Sequence, residues 1–265
     1  MTVKEATATQ TYFGFEARFA FKTYYVFMLL IMLLVGILTS IFIPRMPQVV
    51  YHFFEKVYHL KNWTDMIILG DFAGLFFIPF WLGAFSLLQV YVVPREEQYL
   101  DLYLSKPLTR TQYLQAKVLP TFGIIAAFGI FLALGTWIKI AVINGTGDLH
   151  SVSFFASSLL IICATLAFLA LINFVFLFFK ETYNAVVIAS LMFMASILPS
   201  SIYMYRPDVI NKSRLIRDIV VFPANLLWYK NQIPTLALYL VPFLICITAL
   251  LIWIAGIRLE RSDVV

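Results

Sequence analysis

The sequence predicts an all-α integral membrane protein with six transmembrane helices. Three observations carry that expectation. Of 265 residues, 62% are hydrophobic and 12% charged, with a mean hydropathy of +0.90, whereas an ordinary soluble domain carries about 25% charged residues. Six long stretches lack Asp, Glu, Lys, Arg and His altogether. The charges that remain fall between those stretches, where headgroups and water can reach them.

The charge-free stretches are Thr23–Pro44, Phe72–Pro94, Val118–Ile138, Ser151–Lys180 (closing on the lysine), Thr182–Tyr205 and Asn231–Ile257. Each holds at least the ~20 residues that cross ~30 Å of hydrocarbon at 1.5 Å per residue. With their flanks they give spans of about 23–44, 66–94, 118–143, 151–180, 182–205 and 233–257 in one domain, 1–265. Only Lys180 and Glu181 separate the fourth from the fifth, so these two must form a tight helical hairpin. One helix through both would far exceed the bilayer. Phe (26) and Tyr (14) are abundant, as suits lipid contact and interfacial belts.

An even number of spans puts both termini on one side. Placing them in the cytoplasm leaves ten Lys/Arg inside and nine outside, a weak positive-inside bias. The net charge of +5 is therefore an anchoring charge, and no nucleic-acid partner is expected from it. Cys163 and Cys246 fall inside apolar runs without metal-ligand spacing and read as small apolar residues. No cleavable signal peptide is expected, because the first apolar run is too long for one and lacks a small-residue cleavage site.

Three segments outside the spans read as surface helices. Thr11–Lys22 sets Tyr12, Phe15 and Phe19 at helical spacing beside Arg18 and Lys22, an N-terminal interfacial elbow. Val49–Leu60 is amphipathic, with Val49, Val50, Phe53, Phe54, Val57 and Leu60 on one face and His52, Glu55, Lys56 and His59 on the other. Pro207–Asn231, with Lys212, Arg214, Arg217 and Trp228, is long for a turn and reads as an outer segment that dips into or caps the membrane.

The link between the second and third spans, 95–117, carries the most pattern. It reads REEQYLDLYLSKPLTRTQYLQAK. Leu100, Tyr103 and Leu104 stand at i, i+3 and i+4 as an apolar stripe, with Glu96, Glu97 and Asp101 making the start of this short helix acidic. Pro107 ends it, and Thr109 with Gln112 reads as a capping box that opens the next helix. An apolar stripe on a cytosolic helix is suited to docking on a partner.

At these residues the chain resembles the permease subunits of type-2 ABC exporters. The shared pattern is an acidic pair (Glu96, Glu97), a Leu-rich turn (Leu100, Leu102, Leu104), Ser105-Lys106-Pro107, then Arg110 and Lys117. The family commonly has Gly-Thr before the leucines, where this chain has Gln98-Tyr99, and Glu where this chain has Asp101. The resemblance implies cytoplasmic termini in the cell membrane and a coupling helix in 95–117. It also implies a second permease copy or similar chain, and a separate cytoplasmic ATPase subunit that binds ATP and Mg. The ATPase interface it implies comprises Arg95, Glu96, Glu97, Leu100, Asp101, Leu104, Pro107 and Arg110. The chain itself is expected to bind no cofactor or metal and to hydrolyse no ATP: Gly145-Thr146-Gly147 lacks the lysine of a phosphate loop. Cargo residues are not legible. Spans without charges fit an apolar or amphipathic substrate, such as a membrane-active peptide or lipid-like molecule.

Other readings of the same residues remain open. A membrane scaffold or sensor could recruit a partner through the same link. A secondary transporter would place ionisable groups at mid-membrane, which these spans lack. Glu96-Glu97 resembles the glutamate pair of intramembrane CAAX-type proteases, but the arginine four residues on is Asp101, and His52, His59 and His150 fall in outer loops. His52, Glu55 and His59 could ligate a metal or simply form a solvated face. Asp71 is expected as an interfacial cap or substrate contact, Lys139 as a snorkelling side chain, and Asn173 and Gln89 as helix–helix contacts or ligands. The sequons at Asn62, Asn144 and Asn211 lie in outer loops.

Overall fold

The computed structural model describes residues 14, 30, 34, 37, 41–42, 45–58, 62–98, 109–145, 150–205 and 234–261. All regular structure among them is helical. The helices are α1 (Gln48–Tyr58), α2 (Trp63–Glu96), α3 (Arg110–Asn144), α4 (Ser151–Phe176), α5 (Thr182–Tyr205) and α6 (Pro234–Arg261). Four of them, α2, α3, α4 and α6, are long and apolar enough to cross a membrane. The apolar, described part of α5 runs Thr182–Leu198. The elbow, nearly all of the first span, residues 99–108 of the coupling segment and the outer segment 207–231 lie outside the described residues.

Helix ends follow the chemistry read from the chain. The capping box is present: the Thr109 side chain accepts from the Gln112 amide (3.2 Å) and the Gln112 side chain accepts from the Thr109 amide (3.1 Å). The helix it opens runs unbroken through the third span to Asn144, where Gly145 takes φ 76°, a left-handed value open to glycine at little cost. The expected short connection between α4 and α5 is also present, although α5 packs on α2 rather than on α4, so the two do not form a tight hairpin. The connecting turn covers 177–181, so α4 stops at Phe176 and Lys180 belongs to the turn.

Hydroxyls inside the apolar helices satisfy themselves. Ser86, Ser158, Thr165, Ser190 and Thr248 each donate to the carbonyl four residues back, at 2.7–2.8 Å. No water is available in hydrocarbon to do this instead.

Around α4, the helices α2, α3 and α6 pack as a bundle, and α5 joins through α2. Helices α2 and α4 are parallel and in constant register. Phe72 faces Phe154 at one end (ring centroids 5.6 Å), and Tyr91 and Arg95 reach Asn173 and Leu177 at the other, each pair 82 residues apart. Phe193 of α5 sits among Phe76, Phe77, Phe80 and Trp81 of α2, with centroids 4.8–6.0 Å apart. Close helix approach relies on glycine: a Cβ on Gly129 of α3 would stand 2.6 Å from Ile162 of α4.

Helix α1 makes 48–58 of the segment read as amphipathic helical, and 59–60 lie outside the described residues. Tyr51 packs on Trp63 at the start of α2 (4.9 Å), and α1 touches α5.

Candidate functional site

The ends of α2, α4 and α6 and the starts of α3 and α5 meet at one end of the bundle, where the 95–117 link emerges. Helix α2 finishes there with Pro94, Arg95 and Glu96. Proline has no N–H, so the Val90 carbonyl loses its helical donor. The buried Tyr113 of α3 supplies one, its hydroxyl donating to Val90 O at 2.5 Å.

Helix α4 ends nearby in a tightened turn. The amides of Leu177, Phe178 and Phe179 donate to Phe174, Val175 and Phe176, three residues back, at 3.3, 3.0 and 3.1 Å. That tightening leaves carbonyls short of helical donors, and α2 supplies them. Tyr91 donates to the Asn173 carbonyl and stands 3.2 Å from its side-chain oxygen. One turn on, Arg95 donates to the Leu177 and Phe179 carbonyls, both at 3.2 Å. A guanidinium at a helix C-terminus also meets the negative end of the dipole.

Glu96 completes the clamp. Its carboxylate accepts from the Thr182 amide at the start of α5 (2.9 Å), and the Thr182 side chain together with that amide holds its carboxyl below the ordinary glutamate range. Consecutive residues, one cationic and one anionic, thus hold the end of α4 and the start of α5, each matched to the local dipole. Asn173 is fully buried as expected of a helix–helix contact, with Tyr91 across from it.

The sequence placed Glu96 and Glu97 at the start of a docking helix. The structure corrects this: Glu96 is the last residue of α2 and Glu97 its C-cap. Gln98 follows at φ 60°, a left-handed value that L-residues other than glycine adopt at a cost of roughly 1–2 kcal/mol. The chain therefore leaves the α2 axis one residue before the segment 99–108 begins. Leu100, Asp101, Leu104 and Pro107 lie outside the described residues.

The segment returns onto a second clamp. Arg110 donates to the Leu259 and Glu260 carbonyls at the end of α6 (3.1 and 3.5 Å), and Thr111 donates to the Glu260 carboxylate. Gly256 gives α6 its close approach, since a Cβ there would stand 3.1 Å from Thr111. Of the eight residues assigned to a partner interface, Arg95, Glu96 and Arg110 thus have intrachain partners, while Glu97 is exposed.

At the other end of the bundle, Asp71 and Lys139 form an ion pair between α2 and α3 at 2.6 Å, with side chains 17% and 12% exposed. Lys139 is therefore paired rather than snorkelling alone. The pair closes the charge-free stretches 72–94 and 118–138 at a common level, and their lengths of about 34 and 31 Å match one hydrocarbon layer. His52 Nδ1 lies 3.3 Å from Glu55 on the exposed face of α1. No group of three or more His, Cys, Asp or Glu gathers among the described residues.

Set against known protein families, curated proteins and solved structures, the chain gives no match in any of the three.

Proposed function

We propose that this chain is the transmembrane subunit of an ATP-driven exporter of the type-2 ABC class. It has six spans and cytoplasmic termini, and it pairs with a second permease copy or similar chain. A separate ATPase subunit docks on the 95–117 link and supplies ATP and Mg. The carrying observation is the anchorage of that link. One end is tied by Arg95 and Glu96 to the α4–α5 turn, and the other by Arg110 and Thr111 to the end of α6. A load on residues 99–108 would therefore reach four helix ends besides that of α2. Such anchorage suits a segment that transmits load, beside its role of satisfying the helix-end carbonyls.

Two further observations support the reading. The described residues at this end include Arg95, Arg110, Lys117, Lys180, Arg258 and Arg261, a basic excess that fits the cytoplasmic face. Between their ends, the described spans carry no Asp, Glu, Lys, Arg or His apart from the Asp71–Lys139 pair at the opposite boundary. Energy then has to come from a partner rather than from titration at mid-membrane. Uncharged spans suit an apolar or amphipathic cargo.

The test is purification of the tagged chain from its own membranes in mild detergent. A nucleotide-binding subunit should co-purify, and Leu104→Glu, which puts a charge into a dry contact, should abolish its recovery at unchanged expression. Equal recovery with Leu104→Glu would remove the docking role of this segment.

A further inference from the structure

We propose that the exposed face formed by the cytoplasmic ends of α4 and α6 is a binding site for the phosphodiester headgroup of an anionic membrane lipid. The Arg258 guanidinium lies over the Phe178 ring, 5.5 Å from its centroid, so an aromatic face fixes the position of the charge. Arg261 follows one turn along α6, and Lys180 follows Phe178 by two residues. All three cations are exposed, and among the described residues none has a carboxylate within ion-pair distance.

The nearby acids are otherwise engaged: Glu260 accepts from Thr111, and Glu181 accepts from the Asn184 amide group at 2.6 Å. Both donors are neutral, so the two carboxylates keep their charge, and three cations against two carboxylates leave a net positive charge of one at this end. Below it the wall is apolar and open. Leu250 and Ile254 lead to Arg258 and Arg261 along one helical face, beside exposed Trp253 (58%) and Phe178 (55%). Cations above an exposed aromatic and aliphatic wall fit a phosphate with acyl chains beneath it. A soluble anion would leave that wall unused.

The experiment is lipid retention by the full-length chain, reconstituted in nanodiscs of equal phosphatidylglycerol and phosphatidylcholine and then extracted for native mass spectrometry. Phosphatidylglycerol should remain bound in preference to phosphatidylcholine. Arg258→Gln and Lys180→Gln should each lower that preference about fivefold, with helix content and thermal midpoint unchanged. Glycerol 3-phosphate at millimolar concentration should not displace the lipid. Equal retention of the two lipids, wild-type preference in the double variant, or displacement by glycerol 3-phosphate would each overturn the assignment. None of these readouts requires an ATPase partner, so the result is independent of the exporter reading.

Discussion

The Tyr113 hydroxyl donates to the carbonyl of Val90 across 2.5 Å, and this is the carbonyl that Pro94 leaves without a helical donor. A proline in the last turn of α2 would otherwise strand a buried acceptor where no water reaches it. Tyr113→Phe should lower stability in detergent by about 1–3 kcal/mol, the cost of an unsatisfied buried group. Pro94→Ala restores an amide to Val90, so Tyr113→Phe should cost less in that background. A double-mutant cycle on thermal unfolding measures the coupling, and additive effects would break the link between the two residues.

The Asp71–Lys139 pair is partly buried, so removing one partner leaves a charge that water only partly screens. Asp71→Asn or Lys139→Met should each destabilise by about 2 kcal/mol, less than a fully buried pair would lose. Exchanging the two residues, Asp71→Lys with Lys139→Asp, should recover most of the loss. Midpoints of unfolding for the two single variants and the swap decide this.

Glu96 ties stability to pH. Its folded carboxyl sits below the ordinary range because it accepts from Thr182. The ionised form is therefore favoured by folding, and the contribution is present above the unfolded value. It fades as pH falls through the lower folded value. Wild type should exceed Glu96→Gln in thermal midpoint at about pH 7 and converge with it near pH 3. A constant difference across that window would contradict the role given to this bond.

Gln98 occupies the left-handed region at φ 60°. Gln98→Gly should be neutral or stabilising by up to about 1 kcal/mol, because relief of the steric penalty outweighs the added unfolded-state entropy. Unfolding of the purified variant reads this directly, and a clear loss of stability would show that the Gln98 side chain makes a needed contact.

Legibility in the chain followed the range of the interactions. Helix α3 could be read from its first residue, because a capping box is local and Thr109 lies three residues from Gln112. The short α4–α5 connection was equally plain, since only two charged residues interrupt the apolar run, but that α5 packs on α2 instead of α4 was not. The clamps were not legible. Arg95 reaches carbonyls 82 and 84 residues away, and Arg110 reaches one 149 residues away, separations that no periodicity encodes. Asp71 and Lys139 each stood out as the charge closing a span, but their pairing depends on how α2 packs on α3. Glu96 was assigned to the wrong helix because α2 runs past its apolar stretch, through Pro94, to Glu96. A signal for the break did exist: Gln98 stands where the resembled pattern has glycine, the residue suited to a left-handed turn.

ATP hydrolysis decides whether a separate ATPase drives the chain through its 95–117 link, as proposed. The measurement is the rate for the complex purified from native membranes, beside the rate for the chain isolated alone. The complex should hydrolyse ATP and the isolated chain should not, and hydrolysing activity should be lost from Leu104→Glu preparations with normal membrane insertion. Hydrolysis by the isolated chain, or wild-type activity recovered with Leu104→Glu, would contradict the proposal.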